Sequence, residues 1–142
     1  MRTIAHVLAS KGSTVWAISP EATVYEALQV MAQHNVGALL IIEGGAPVGM
    51  ISERDYARKI VLMGRSSLDT RVRVVMTTPL TSCPSSHSID AAMVLMTRTR
   101  VRHLPVIDGG RLLGLVSIGD LVKARIADQQ FTIAQLEQYI AT

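Results

Sequence analysis

Apolar and polar residues follow two rhythms along this chain. Val24, Ala27, Leu28, Met31 and Ala32 recur with helical spacing and share one face. Thr23 precedes them with Glu26 three residues on, the spacing of a capping box, and His34-Asn35 closes the predicted helix. Ala38 to Ile42 is instead a continuous apolar run, which predicts a strand covered on both faces. Glu43-Gly44-Gly45 reads as a tight turn, and Val48 to Ile51 as the strand that returns from it. Upstream, residues 3–10 read as a short helix and Val15–Ile18 as a strand ended by Ser19-Pro20. Downstream, Ser52-Glu53-Arg54-Asp55 opens a helix running to about Met63.

The same order then returns: strand 80–83, helix 89–99, strand 103–107, turn Asp108-Gly109-Gly110, strand 112–116 and helix 118–127. Residues 15–60 lie on residues 80–125 at a constant offset of 65 without a gap, and ten of the 46 pairs are identical. Ala27/Ala92, Met31/Met96, Gly49/Gly114, Ser52/Ser117 and Asp55/Asp120 are among them. A duplication this regular predicts one β-α-β-β-α unit used twice, the copies related by a pseudo-twofold axis, with clefts between them as places for a ligand. The expected division is 1–65 for the first repeat with an N-terminal helix, 66–74 for a polar, Arg-rich linker, and 75–142 for the second repeat with a C-terminal helix. That last helix is expected over Gln130–Ile140, with Thr132 and Gln135 as its capping pair and Phe131, Ile133, Leu136 and Tyr139 on one stripe.

Composition narrows the class. A single 65-residue unit buries too little surface to be comfortably stable, so two units sharing one core are expected. The chain is 49% hydrophobic and only 4% aromatic, which predicts an aliphatic core. No apolar run approaches the roughly 18 residues of a spanning helix, and the opening MRTIAHVLASKG lacks the apolar stretch of a secretory signal. Cys83 is the sole cysteine, which fits a reducing cytosol and a cytoplasmic protein, and its plainest role is a small buried hydrophobe. The net charge of +3 is modest, but it contains eleven Arg against three Lys, a balance that suits a phosphate-bearing ligand.

The candidate chemistry is itself repeated. Gly-h-h-Ser-x-x-Asp, with h apolar, occurs as Gly49–Asp55 and again as Gly114–Asp120. Each places a hydroxyl where a strand turns into a helix and a carboxylate one helical turn later. A helix start favours a phosphate, Ser adds a donor, and Asp accepts from a ribose diol. The same Ser-x-x-Asp spacing is also a helix cap. Arg54, Arg102 and His103 are the phosphate candidates. His6, His34 and His87 are scattered with no Cys or carboxylate at ligand spacing, so no metal site is expected. Ser52 and Ser117 lack a repeated His in nucleophile–base order, so no enzyme is expected.

The repeat order, the two Gly-h-h-Ser-x-x-Asp segments, and the pair Val36-Gly37-Ala38-Leu39-Leu40 and Val101-Arg102-His103-Leu104-Pro105-Val106 together resemble a tandem pair of cystathionine-β-synthase (CBS) domains, over about residues 7–127. That resemblance implies two units packed through their sheets into a Bateman module. It implies adenine nucleotides (AMP, ADP, ATP or NAD(H)) bound in the two clefts, with Ser52 and Asp55 serving one and Ser117, Ile118 and Asp120 the other. Val36, Gly37, Ala38, Val101, Arg102 and His103 would line them, and Ile18 and Cys83 would stand near the base. The resemblance further implies a homodimer, two modules forming a flat disc through their helices. The expected function is a nucleotide-responsive regulatory module acting on a downstream protein partner, with no membrane role. Two alternatives stand beside it: a nucleic-acid binder using Arg65, Arg71, Arg73, Arg98, Arg100 and Arg102, and a structural dimer with vestigial clefts. The scarcity of aromatic residues counts against nucleic-acid binding.

Overall fold

The computed structural model describes residues 2–141. Its elements in chain order are α1 (Ile4–Lys11), β1 (Ala17–Ile18), α2 (Val24–His34), β2 (Ala38–Glu43), β3 (Ala46–Ser52), α3 (Glu53–Asp55), α4 (Val72–Val75), α5 (Ile89–Thr99), β4 (His103–Asp108), β5 (Arg111–Ser117) and α6 (Ile118–Ala141). A π-helical segment, Tyr56–Val61, continues directly from α3. This is the mixed α/β class that the two rhythms predict. The chain divides into two compact units: Val15–Thr81, and the chain up to Thr14 together with Ser82 onward.

In the Val15–Thr81 unit, β1 lies parallel to β2, and β2 lies antiparallel to β3. Thr23 caps α2, accepting from the Glu26 N–H at 3.1 Å. The apolar face of α2 then packs Val24, Ala27 and Met31 against Leu39, Ile41 and Ile51 of the sheet. The β2–β3 loop is the two residues Gly44-Gly45, at φ 59° and 81°. Both are positive, as a hairpin turn matched to the strand twist requires. In the other unit, β4 and β5 repeat this hairpin around Gly109-Gly110. Cys83 makes a single parallel bridge to Val106 where the first repeat has β1 beside β2, so the expected strand 80–83 is reduced to one bridge.

The helices that complete each core come from unexpected places. The helix α1, expected with the first repeat, belongs to the second repeat's unit. Ile4, Val7 and Leu8 are buried there with Ile89, Ala92, Met96, Leu104 and Val116. Residues 66–74, expected as a linker, are instead sewn into the first repeat's unit, where Val72 and Val75 are buried. The two attachments follow one pattern. The Ile4 and Ala5 N–H groups donate to the His87 and Ser85 carbonyls at 2.9 and 3.0 Å, while those of Val72 and Arg73 donate to the Ala22 and Pro20 carbonyls at 2.8 and 2.9 Å. Thr3 bridges Ser88 just as Arg71 bridges Thr23. Acceptors 20 and 22 become 85 and 87 at the repeat offset of 65, while donors 4 and 5 become 72 and 73 at an offset of 68. The segment preceding each repeat therefore completes the unit of the other. Nothing local marks this: Val72 is one of three apolar residues in the Arg-rich stretch, Val75 was expected to open the second repeat, and the burial of both depends on partners distant in sequence.

The C-terminal expectation also changes. The helix α6 is continuous for 24 residues. Thr132 caps nothing; its hydroxyl donates to the Asp128 carbonyl at 3.0 Å, a back-bond within the helix.

Gly49 and Gly114, equivalent in the repeat, both stand where the imported segment comes close. A Cβ at Gly49 would lie 2.8 Å from the Thr77 carbonyl oxygen, and one at Gly114 would lie 2.8 Å from Leu8 Cδ2. The first clash is with backbone in the paired Met50–Thr77 bridge, and the second with the end of a flexible side chain. Gly49→Ala should therefore destabilise by about 1–3 kcal/mol, as overpacking does. Gly114→Ala should cost clearly less. Urea unfolding midpoints of the two variants check the order, and equal costs would contradict it.

Candidate functional site

Each unit brings a strand start against a helix start. In the Val15–Thr81 unit, Ala38 is the register partner of Ser52, and the Glu53 N–H donates to the Gly37 carbonyl at 3.0 Å. In the other unit, His103 is the partner of Ser117, and the Ile118 N–H donates to the Arg102 carbonyl at 2.8 Å. Gly37, Ala38, Ser52 and Asp55 thus gather at one place, and Arg102, His103, Ser117, Ile118 and Asp120 at its equivalent. Val36 and Val101 lie at the edge of each cluster, half-buried against their own cores.

The Ser and Asp form a reciprocal cap in both copies. The Asp55 N–H donates to Ser52 Oγ at 3.2 Å, and the Ser52 N–H donates to Asp55 Oδ2 at 2.9 Å. The corresponding distances for Ser117 and Asp120 are 3.1 and 2.8 Å. The capping role is therefore real. It also consumes N–H groups that a phosphate would need at a helix start, so the ligand chemistry left to these turns lies in their side chains.

Each carboxylate then meets a lysine by a different route. Lys59 Nζ lies 3.1 Å from Asp55 Oδ1 and also donates to the Val75 carbonyl at 2.8 Å. Thr77 Oγ1 donates to Asp55 Oδ1 at 3.2 Å. Asp120 is paired instead with Lys11, from the end of α1. The repeat places Ala124 where Lys59 stands, and the lysine at Asp120 comes instead from 109 residues away. Lys11 and Thr77 escape a sequence reading because both arrive on the imported segments. The signal that could have found them is the offset of 68, which pairs Ile4, Val7 and Leu8 with Val72, Val75 and Met76.

The two sites differ in charge. Burial pushes the Asp120 carboxyl up, but the Lys11 and Ser117 hydrogen bonds outweigh it and leave the group below its ordinary value. Burial, reinforced by the Lys11 and Arg102 charges and opposed by Asp120, lowers His103 below the ordinary histidine value. The shift favours the neutral ring, so His103, a phosphate candidate in the sequence, offers a ring N–H more readily than a charge. Arg102 is exposed beside it, and Arg54 is exposed at the other site. Glu53 brings a carboxylate within 3.7 Å of where a Gly37 Cβ would lie, while the equivalent position is the apolar Ile118. The Asp120 site is the better match for an anion.

Cys83 lies inside its unit, as the expected small buried hydrophobe. Its side chain is 1% exposed in the unit's core, and burial, with a smaller push from Asp108, raises the thiol to about 11. Its N–H and carbonyl are both taken, by Pro105 and Ile107. Ile18 is half-buried against the core of its own unit. Two arginines proposed for nucleic acid are engaged internally, Arg71 on the Glu21 carbonyl and Arg73 on Glu21 and Glu43. Among the described residues no three metal-ligating side chains gather, and no helix is long and apolar enough to cross a membrane.

The family model described as "CBS domain" matches residues 12–62 and 72–127. The chain is 42% identical to the CBS domain-containing protein CBSX3, mitochondrial, of Arabidopsis thaliana, over 97% of this chain and 71% of that one. It is 37% identical to the CBS domain-containing protein YhcV of Bacillus subtilis, over 81% of each. It superposes with a TM-score of 0.85 on a putative signal-transduction protein with CBS domains from Burkholderia ambifaria, at 50% identity, covering 92% of this chain and 98% of that one.

The lowered His103 has a testable consequence. As pH falls below the ordinary histidine value of about 6.5, the unfolded state takes up a proton that the folded state resists. Stability present above that pH is thus progressively lost on acidification. Urea unfolding of wild type should weaken between about pH 7 and pH 5, with a shallower slope in His103→Gln. Equal slopes would show that His103 titrates freely in the fold.

Proposed function

The chain belongs to the CBS-domain family, and on that premise we propose that it is a non-enzymatic regulatory module that binds an adenosine nucleotide at its Ser-x-x-Asp turns. The observation that carries this reading is the doubled juxtaposition of a strand start with a capped serine and a carboxylate, one of them bordered by Lys11 and Arg102. Asp120 accepts from the ribose hydroxyls. Lys11 turns from Asp120 to the phosphate, and Arg102 adds a second cation. His103 and Ser117 supply neutral donors at the rim. Asp55 offers the same ribose contact at the other turn, with Ser52 and Arg54 beside it and Glu53 weakening its attraction for phosphate. AMP, ADP, ATP and NAD(H) all carry the required diol and phosphate. The bound nucleotide biases the module between two states by its differential affinity for them, and a partner protein reads the change.

One observation favours the plainer, structural reading: both carboxylates already have a cap and a lysine. The experiment that separates the two is a thermal-shift and calorimetry series with AMP, ADP, ATP, NAD+, NADH and adenosine. A ligand at 100 times its dissociation constant adds about 2.7 kcal/mol to stability. Asp120→Ala should weaken binding about tenfold or more, the loss of a hydrogen bond to a charged group. Lys11→Ala should weaken AMP binding while leaving adenosine binding nearly unchanged. If no adenosine ligand shifts a folded protein free of copurified nucleotide, the turns are caps alone.

A further inference from the structure

The helix α6 presents two faces with different fates. Leu121 is buried, Ala124 packs on the core, and Asp128 accepts from Arg2 at 3.0 Å, so these residues hold the helix to its own unit. At 3.6 residues per turn, a second face lies roughly 100–160° round the helix. It carries Val122, Ile126, Ile133, Leu136 and Ile140, which are 41, 48, 53, 56 and 81% exposed. Their spacing is 4, 7, 3 and 4, and Gln129 fills the one gap, so positions 122, 126, 129, 133, 136 and 140 alternate by four and three. That is the heptad seam of a two-stranded coiled coil. Beyond Leu121 no residue of α6 is buried, although the helix runs on to Ala141. A helical tail of this length without a packing partner is marginal in water.

We propose that this stripe pairs with the same stripe of a second copy of this chain, antiparallel, through α6. Lys123 and Glu137 occupy the same flank of the seam, two heptads apart. In an antiparallel pair whose layers are Val122 with Ile140, Ile126 with Leu136, and Gln129 with Ile133, Lys123 of each copy faces Glu137 of the other. The charges match twice by symmetry. A parallel pair would instead set Arg125 against Gln130 and Thr132 against Glu137, with no opposite charges. Charge also argues against a lipid surface or a nucleic acid as the occupant. From Ile126 to the end of the chain there is no Lys or Arg, while Asp128 and Glu137 are present. The pairing needs only α6 and is independent of the nucleotide reading.

Light scattering on a dilution series of the full chain measures the dissociation constant of the dimer. Ile133→Glu/Leu136→Glu should weaken association by about tenfold or more. Both residues lie outside the core, so the melting of the units should hold. Lys123→Glu and Glu137→Lys should each weaken association, and the two together should recover it. An unchanged constant in the Ile133/Leu136 variant, or a wild type monomeric at hundreds of micromolar, overturns the proposal. Charge variants that fail to recover when combined overturn the antiparallel pairing.

Discussion

A repeat of this size is marginal alone, and each core here is completed by a segment from outside its own repeat, a constraint that governs the molecule. The sheet of each unit leaves an apolar edge that the repeat's own two helices do not cover. The covering side chains are Ile4, Val7 and Leu8 in one unit and Val72 and Val75 in the other, drawn from the segment preceding the opposite repeat. Glycine at 49 and 114 gives those segments room to approach. Closing the core also brings polar groups to the turns. Lys11 follows the last turn of α1 to Asp120, and Thr77 follows Val72–Val75 to Asp55. Packing and site assembly are therefore one event. A change that loosens α1 should be felt at Asp120 before it is felt elsewhere.

Duplication and divergence meet at the carboxylates. The Ser–Asp cap is the same in both copies, because it is dictated by the strand-to-helix turn itself. What surrounds it is free to change. One turn holds its lysine four residues along the helix, the other borrows one from the N-terminal helix, and Glu53 is answered by Ile118. A single backbone frame thereby yields two turns of different electrostatic character.

Much of this was legible in sequence because it is local. The hairpin turns at Gly44-Gly45 and Gly109-Gly110, the Thr23 cap, the buried run Ala38–Ile41 and the Ser-x-x-Asp turns are encoded within a few residues of themselves. So was the constant offset that doubles them. What was not legible depends on distance. The home of α1, the burial of Val72 and Val75, and the arrival of Lys11 are decided by partners that sequence spacing does not mark. His103 was visible as a candidate by residue type, but its lowered basicity depends on burial and on the charges of Lys11 and Arg102, which spacing does not mark. Cys83, equivalent to Ile18 in the repeat, was legible as a small buried hydrophobe, and its side chain is in the core. The separate last helix was inferred from a capping pattern at Thr132 that loses to continuous helix once Ile118–Ala141 forms.

The most direct measurement is a crystal structure of the protein with AMP bound. Expected is a ribose held through its hydroxyls on Asp120, with Lys11 Nζ drawn from the carboxylate onto the phosphate and the Ser117 cap unchanged. A nucleotide bound elsewhere, with the Lys11–Asp120 pair intact, would contradict the central claim that the segment completing the core also completes the site.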